Sequence, residues 1–236
     1  MPVRNVIIVC GHAVYTATDF AHPVADSSWF LLPYQKGEGS CYLDHVRRGV
    51  ELAAADPDSL LVYTGGQTRA EAGPRSEAES YLRLARHFEF WGHTMVADRA
   101  TAEEFARDSL ENLLFGICRF YEVAHAWPER VTVVSWAFKR PRFDFHRDTI
   151  RFPPDRFVFD GPNDPRSVTT ALAGEQQYVD AFRSDPYASG GILAQRRAAR
   201  NPFHRNPPYP ATCPAVAGLL QWHGPDPFPH SLPWDG

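Results

Sequence analysis

The chain has 236 residues, enough for one large domain or two small ones, and its 44% content of hydrophobic residues is sufficient for a true core. A formal net charge of −4 gives no electrostatic signature for binding nucleic acid or an acidic membrane, so we expect neither as a partner. The four cysteines form no CxxC pair, and the apolar run near the N-terminus is too short for a secretory signal or a membrane span. We therefore expect free thiols and a soluble, cytoplasmic protein.

The first half of the chain alternates predicted strands with predicted helices. Residues 5–10, NVIIVC, form a continuous β-branched run that is typical of a strand buried on both faces. The segment 13–40 that follows is long for a connection without regular structure, and such loops often serve as lids or binding loops. The next predicted elements are a helix over 43–55, a strand over 60–64, a helix over 76–90 and a short strand over 94–97.

The principal helix of the second half is predicted to begin at Asp108. The segment 101–112 contains two capping boxes, Thr101 with Glu104 and Asp108 with Glu111, but the apolar arc begins only after Asp108. The preceding segment is therefore predicted to be a loop or a short turn. The remaining predicted elements are a strand over 130–136, a helix after Pro141, a strand over 156–160, a helix ending at 183, and short helices over 192–200 and 215–222.

This alternation predicts an α/β fold, a three-layer Rossmann-like sandwich with a mostly parallel sheet. We assign residues 1–184 to that domain. Ten of the 21 prolines fall in residues 185–236, which we predict to be a Pro-rich C-terminal extension packing on the same domain. Open parallel sheets bind ligands beyond the carboxyl ends of their strands, so the residues that follow each strand are the candidates for a site.

Glycines follow the first two predicted strands. Gly11 and His12 end the first strand, and Gly65 and Gly66 end the second. A glycine pair suits a turn that needs positive φ or close approach to a ligand, although an ordinary tight turn has the same sequence. The pattern is neither GxGxxG nor GxxxxGK[ST], so it lacks both nucleotide-binding fingerprints. The other predicted strand ends lie at 98–99 and 137–142, with 161–163 nearby.

Charged residues cluster near these ends. Lys139, Arg140 and Arg142 follow the strand at 130–136, and three close cations favour a site for phosphate or carboxylate, with a solvated basic turn as the alternative. Glu77 opens a predicted helix, where a carboxylate is electrostatically favourable in any case. If it faces the cleft, it is a candidate ligand anchor or general base.

A second group of polar residues surrounds the predicted helix start at Asp108. Glu104, Asp108 and Glu111 have the i, i+4, i+7 spacing of a solvated helix face. In the alternative arrangement Asp108, Ser109 and Asn112 lie at a helix N-terminus that is aimed at the site. No GxSxG elbow and no histidine or cysteine grouping typical of zinc is present, so we expect neither a covalent serine intermediate nor a zinc site.

Taken together, the motifs resemble one family, the domain of unknown function 218, or YdcF/SanA/ElyC-like family. The motifs are, in order, Gly11 after the first strand, YTGG at 63–66, SEA at 76–78, Glu104 followed by DSLEN at 108–112, and VVSWAFKRPRF at 133–143. The resemblance covers about residues 5–150 and implies a Rossmann-like fold. It implies a polar cleft formed by Gly65, Gly66, Glu77, Glu104, Ser109, Asn112 and Arg142.

Two positions depart from the family pattern. Asp108 stands where the family usually has Asn, and Lys139 stands where bacterial members usually have His. A histidine could shuttle protons at neutral pH, whereas a lysine more naturally holds an anion. The FKRxRF form resembles a eukaryotic-type cytosolic branch. One family member is reported to bind S-adenosylmethionine, so the resemblance implies this as a possible cofactor, with none certain.

We therefore expect a cytoplasmic enzyme that acts on a small anionic metabolite by general acid–base hydrolysis or group transfer. The metabolite is expected to bear a phosphate or carboxylate, and nucleotide-like molecules are among the candidates. The alternatives are a non-catalytic protein that binds a nucleotide or S-adenosylmethionine, and a metal-assisted phosphoesterase using Glu77, Glu104 and Asp108. The predicted catalytic residues are Glu77, Glu111 and His12. The predicted substrate-binding residues are Gly11, Gly65, Gly66, Glu104, Asp108, Ser109, Asn112, Lys139, Arg140 and Arg142.

Overall fold

Five parallel strands form the centre of the computed structural model, which describes residues 3–235 apart from the side chains at positions 169 and 170. The strands, in chain order, are β1 (Asn5–Cys10), β2 (Val14–Tyr15), β3 (Trp29–Phe30), β4 (Ser59–Thr64), β5 (Ala100–Glu103), β6 (Arg130–Val134) and β7 (Phe157–Asp160). The helices are α1 (Gly39–Ala55), α2 (Glu77–His87), α3 (Ser109–Ala124), α4 (Arg140–Thr149), α5 (Val168–Ser184), α6 (Gly191–Ala199), α7 (Tyr209–Thr212) and α8 (Ala217–Leu220). Strands β2 and β3 form a separate antiparallel hairpin.

The order of strands in the central sheet is β5-β4-β1-β6-β7, and every pairing in it is parallel. Strand β1 lies in the middle, with Val6 opposite Leu60 on one side and Val131 on the other. A central strand covered on both faces has no solvated side, which explains its continuous apolar sequence. The predicted α/β class with a Rossmann-like three-layer arrangement is confirmed.

Alternate residues of the strands supply two separate hydrophobic layers. Val6 and Ile8 of β1 face the layer that contains α3, whereas Ile7 and Val9 face the layer that contains α1 and α2. This alternation follows from the two-residue period of a strand, which sends successive side chains to opposite faces. The two layers hold the strands rigid, so that the carboxyl ends of β1, β4 and β6 form a fixed edge.

Residues beyond 185 pack into the layer that contains α3. Tyr209, Cys213 and Trp234 are almost completely buried in it. The Trp234 indole Nε1 donates to the Ile150 carbonyl at 2.8 Å. A proline-rich segment can pack against a folded domain without forming long helices, because its carbonyls and aromatic side chains find partners on that domain.

Two predictions around β5 are wrong. Residues Thr94–Arg99 form a 3-10 helix instead of a strand, and the strand is Ala100–Glu103 at the sheet edge, in the segment predicted to be a loop or turn. Its sequence, ATAE, lacks the apolar alternation of a buried strand, which is why no periodic signal marked it. Asp98 and Arg99 therefore precede a strand. The Arg99 guanidinium binds the carbonyls of Ser59 and Ala53 instead of a ligand.

The segment 13–40 contains the β2–β3 hairpin, two 3-10 turns and the first residues of α1, which begins at Gly39. Tyr15 and Trp29 are buried and meet edge to face at 5.1 Å. The inner part of this segment is therefore packed core, and its role as a lid stays a prediction. Within residues 3–235 no helix has the length and hydrophobicity needed to cross a membrane.

Candidate functional site

A cavity of about 500 Å³ opens at the carboxyl ends of β1 and β6. This is where the strand order reverses, because the chain grows from β1 through β4 to β5 and then returns to β6 on the other side of β1. Such a switch point is the usual ligand site of an open α/β sheet. Its polar lining includes His12, Thr68, Arg69, Glu77, Asp108, Ser109, Asn112, Ser135, Lys139, Arg142, Glu175, Tyr178 and Arg200.

Two predicted glycines create the space that holds Glu77. A Cβ atom on Gly11 would lie 2.5 Å from the Glu77 Cβ, and one on Gly65 would lie 2.8 Å from the Glu77 Oε2. Gly65 also has a φ of +141°, which L side chains rarely adopt. Ser76 caps α2 by accepting a hydrogen bond from the Glu79 N–H at 2.9 Å, which places Glu77 in the first turn. The glycines therefore let the start of α2 approach the strand ends.

The backbone N–H groups of the glycine turn are not available to a ligand, so Gly65 and Gly66 cannot make the predicted substrate contacts through them. Gly65 donates to the Glu103 carbonyl at 3.1 Å, and Gly66 donates to the Ala106 carbonyl at 2.7 Å. The first N–H groups of α2 are also occupied, because those of Glu77 and Ala78 donate to the carbonyls of Gly66 and Gly65. The backbone donors at this helix start are therefore occupied by the protein's own carbonyl groups.

Glu77 presents a carboxyl group to the cavity. Its Oε1 accepts a hydrogen bond from the Thr68 hydroxyl at 2.7 Å. Burial raises the pKa of Glu77, while the Thr68 hydrogen bond and the positive charges of Arg200 and Arg69 oppose that rise. A carboxyl whose pKa moves towards neutrality is suited to accept and return a proton under physiological conditions.

His12 and Lys139 meet at the cavity, His12 just beyond β1 and Lys139 just before α4. The Lys139 Nζ lies 3.4 Å from the His12 Nδ1, and the Ser135 Oγ lies 3.4 Å from the His12 Nε2. Burial, and then the charge of Lys139, lower the pKa of His12 well below its ordinary value, so the imidazole is neutral. Burial and the charge of Arg142 lower the pKa of Lys139 to about 8. The Trp136 ring stacks on His12 at 5.5 Å and fixes its orientation.

Arg142 and Arg140 have different roles, although they are two residues apart. Arg142 is buried in the cavity wall, where its Nη2 donates to the Glu175 Oε2 at 2.6 Å. Its Nε has no hydrogen-bond partner within the described part of the chain. Arg140 is exposed and turned away, because its guanidinium donates to the Phe159 carbonyl at 2.8 Å and lies over the Phe159 ring. Arg140 therefore does not lie where it could make the predicted substrate contact.

The acidic residues around α3 do not converge on a ligand. Glu104 accepts from the Ser76 hydroxyl at 2.6 Å and does not line the cavity. Glu111 is buried in ion pairs with Arg107 at 2.5 Å and Arg197 at 3.4 Å, which removes it from the predicted catalytic set. Asp108 lines the cavity but caps α3 and pairs with Arg197. Across residues 3–235 no group of three histidine, cysteine or acidic side chains could hold a metal ion.

Ser109 and Asn112, at the start of α3, do line the cavity. The Ser109 Oγ lies 2.7 Å from the His146 Nε2, and the Asn112 Oδ1 accepts from the Thr64 hydroxyl at 3.3 Å. Burial lowers the pKa of His146 to about 3, so this imidazole is neutral as well. Both contacts orient the polar edge of α3 towards the space beside Glu77.

Several residues of the cavity wall were not predicted from the sequence. Arg69 lies in the polar loop after β4, and Glu175 and Tyr178 lie on α5. Arg200 follows α6 and is held in place by donating to the Arg107 carbonyl at 2.8 Å and to the Tyr178 hydroxyl at 3.3 Å. No local motif marks these positions, since they reach the cavity only through the packing of α5 and α6.

Glu103, at the end of β5, is the most buried carboxyl near the cavity. It accepts hydrogen bonds from the Thr64 and Tyr209 hydroxyls at 2.7 and 2.9 Å, and from the N–H groups of Phe105 and Ala106. Burial nevertheless raises its pKa to about 7. Tyr209 comes from the C-terminal extension, so this carboxyl joins the extension to the sheet.

The raised pKa of Glu103 predicts a specific dependence of stability on pH. The folded state holds the Glu103 proton up to about pH 7, whereas the unfolded chain releases it near 4.5. The unfolding free energy should therefore fall by about 2 kcal/mol between pH 5 and pH 7.5 on account of this group. Urea denaturation of the wild type and of Glu103→Gln should show that the variant lacks this fall. Glu129→Gln, which alters an exposed ion pair with Arg4, is the control and should retain it.

Comparison with known proteins finds a similar yeast protein that is itself uncharacterized. The chain is 27% identical to the uncharacterized protein YOR238W of Saccharomyces cerevisiae over 271 aligned positions, which cover 88% of this chain and 86% of that protein. No family model matches the chain, and no solved structure matches it significantly. The resemblance to the domain of unknown function 218 therefore stays a prediction.

Proposed function

We propose that the chain is an enzyme that binds a small metabolite through its phosphate or carboxylate group in the strand-end cavity and acts on it by general acid–base chemistry. The observation that carries this proposal is the guanidinium of Arg142. It is buried in the cavity wall, one of its amino groups is held by Glu175, and its Nε has no partner among residues 3–235. A buried donor without a partner is costly, and an anionic ligand oxygen would satisfy it.

The charge balance of the cavity supports an anionic ligand. Arg69, Lys139 and Arg200 line it, and no described carboxylate lies within 4.0 Å of any of them. Of the carboxyl groups on the same walls, Glu175 and Asp108 are neutralised by arginines. Glu38 and Glu77 also line the cavity, and burial raises the pKa of both carboxyls, which reduces their negative charge. The unpaired cations leave a positive potential in a partly desolvated space, where it acts on a ligand more strongly than it would in water.

Proton transfer is assigned to Glu77, and positioning of the substrate is assigned to His12. The Glu77 carboxylate would remove a proton from an attacking water or hydroxyl group, while Arg142 stabilises the negative charge that develops on the group under attack. The neutral His12, held by Trp136 and Ser135, would position the substrate through its ring nitrogens. The cavity volume of about 500 Å³ is sufficient for a nucleotide-sized molecule, and the exposed Tyr34 ring is part of its lining.

The anion-binding part of this proposal can be tested with inorganic phosphate and pyrophosphate. Arg69 is half-buried at the cavity and has no side-chain hydrogen-bond partner among the described residues, so its replacement leaves no partner behind. We expect Arg69→Ala to weaken binding of pyrophosphate about tenfold in isothermal titration calorimetry, because one charge-assisted contact is lost.

The matched control is Arg4→Ala, which removes an exposed arginine that pairs with Glu129 and does not line the cavity. It should bind pyrophosphate as the wild type does. Equal affinities of the wild type and Arg69→Ala, or binding that Arg4→Ala weakens as much, would contradict the assignment of the site.

A further inference from the structure

We propose that Lys139 is a nucleophile whose amine forms an imine with an aldehyde or ketone carbonyl of the substrate, while the cavity arginines hold the phosphate or carboxylate of the same molecule. This inference rests on the proposed function, since it requires the anion site. It narrows the substrate class from anionic metabolites in general to those that also carry a reactive carbonyl.

Lysine is rare in this chain, so its presence at position 139 in the cavity points to a role that arginine could not fill. The chain has 24 lysine and arginine residues, and only two of them, Lys36 and Lys139, are lysines. Every other cation of the cavity is an arginine. An arginine holds an anion at least as well as a lysine, through its planar fork of donors, but its guanidinium does not deprotonate in proteins. A primary amine is the residue needed where the group must lose a proton and attack carbon.

The surroundings of Lys139 favour a neutral amine. The side chain is half-buried at the end of β6, beside the cation of Arg142, and no described carboxylate lies within 4.0 Å to hold it charged. Desolvation and a neighbouring cation are the two conditions that activate lysines in imine-forming enzymes. Its polar neighbour is the His12 Nδ1 at 3.4 Å, a neutral ring nitrogen that accepts a hydrogen bond from the amine and adds no positive charge.

The other groups of the cavity complete the reaction. The Lys139 lone pair forms a bond to the carbonyl carbon while the carbonyl oxygen takes up a proton from the Glu77 carboxyl. The nitrogen then loses a proton to His12, which returns it through solvent to the Glu77 carboxylate. The resulting carbinolamine expels its hydroxyl group as water, with the proton supplied by the Glu77 carboxyl, and leaves a protonated imine. The step consumes an amine and a carbonyl and yields an imine and water, so it requires no oxidant or reductant. The cation formed on nitrogen then draws electrons from the adjacent carbon.

The test uses pyridoxal 5′-phosphate, which combines an aldehyde with a phosphate. The protein is incubated with this probe and then reduced with sodium borohydride, which turns an imine into a stable amine adduct. Peptide mass spectrometry should find the adduct on Lys139, with at least about tenfold less on Lys36, which is exposed and serves as the internal control. Pyridoxal without its phosphate should label Lys139 at least about tenfold less at the same concentration, because the arginines have no anion to hold.

Two variants separate the possible failures. Lys139→Arg keeps the positive charge, so it should lose the adduct while still binding pyrophosphate, and its thermal unfolding shows that it is folded. Arg69→Ala should reduce the labelling of Lys139. Equal labelling of the two lysines, or no adduct in a wild-type protein that binds pyrophosphate, overturns the imine and leaves the anion site standing. Absence of both pyrophosphate binding and labelling overturns the proposed function together with this inference.

Discussion

Replacement of Glu77 by glutamine is expected to reduce turnover about a hundred- to ten-thousand-fold while changing pyrophosphate affinity by no more than about threefold. The amide has nearly the same shape as the carboxyl group and can still accept from the Thr68 hydroxyl at 2.7 Å. It cannot take up a proton, so the assigned acid–base step stops. The raised pKa of Glu77 also predicts the direction of the pH dependence. Wild-type activity should fall as the pH drops through a value above 4.5, because the base then becomes protonated.

The measurement begins with a panel of phosphorylated and carboxylated metabolites, followed by mass spectrometry of the reaction mixtures. The substrate found in this way is then used for steady-state kinetics across pH. Glu71→Gln is the control, since Glu71 is an exposed carboxylate in the same polar loop and does not line the cavity. Undiminished turnover by Glu77→Gln would remove Glu77 from the mechanism. Tight binding without turnover of any compound would instead indicate a ligand-binding protein.

Gly11→Ala is expected to lower the unfolding free energy by about 3 kcal/mol or more and to weaken pyrophosphate binding. The added Cβ would lie 2.5 Å from the Glu77 Cβ and 3.0 Å from the Thr64 carbonyl oxygen. Neither neighbour can move freely, because one belongs to the first turn of α2 and the other to the backbone of β4. Overpacking of a rigid contact costs about 1–3 kcal/mol, and occasionally more. Relief of the clash would push α2 away from the strand ends.

Urea denaturation followed by circular dichroism measures the first effect. Gly174→Ala is the matched control, because a Cβ on Gly174 meets nothing within 4 Å and the residue lies within α5. Alanine in a helix interior is favoured over glycine, so this variant should be as stable as the wild type or slightly more stable. Identical denaturation midpoints for Gly11→Ala and the wild type would show that α2 is not held against β1 as described.

The central part of the fold is predictable from local pattern, and the sheet edge is not. NVIIVC of β1 has a continuous β-branched sequence because both of its faces are buried, and burial of this kind leaves few other interpretations. Strand β5 has four residues, two of them alanines, and its state depends on pairing with β4. The β-branched and apolar residues of Thr94–Arg99 instead belong to a 3-10 helix, with Val96 buried. Tertiary contacts therefore decided both cases.

The candidate site likewise contains residues that local sequence predicts and residues that it does not. His12, Glu77, Lys139 and Arg142 line the cavity because each follows a central strand or opens a helix beside one. Arg140 does not, because a helix turns successive side chains by about 100° and directs this one towards β7. The spacing of Glu104 and Glu111 held no information on their partners, which are supplied by other segments. Arg200 reaches the cavity because α6 docks nearby, and no short sequence pattern predicts that contact.

The buried ion pair between Asp108 and Arg197 links the C-terminal extension to the cavity wall. Asp108 caps α3, and its carboxylate lies 2.5 Å from the Arg197 Nε, with Glu111 beside them. Without α6 in place, two carboxylates at the start of α3 would lose a buried cationic partner, and a buried charge left uncompensated costs about 3–5 kcal/mol. The start of α3 also carries Ser109 and Asn112 of the cavity. The docking of α6 therefore stabilises the start of α3, and with it the part of the cavity wall that Ser109 and Asn112 form.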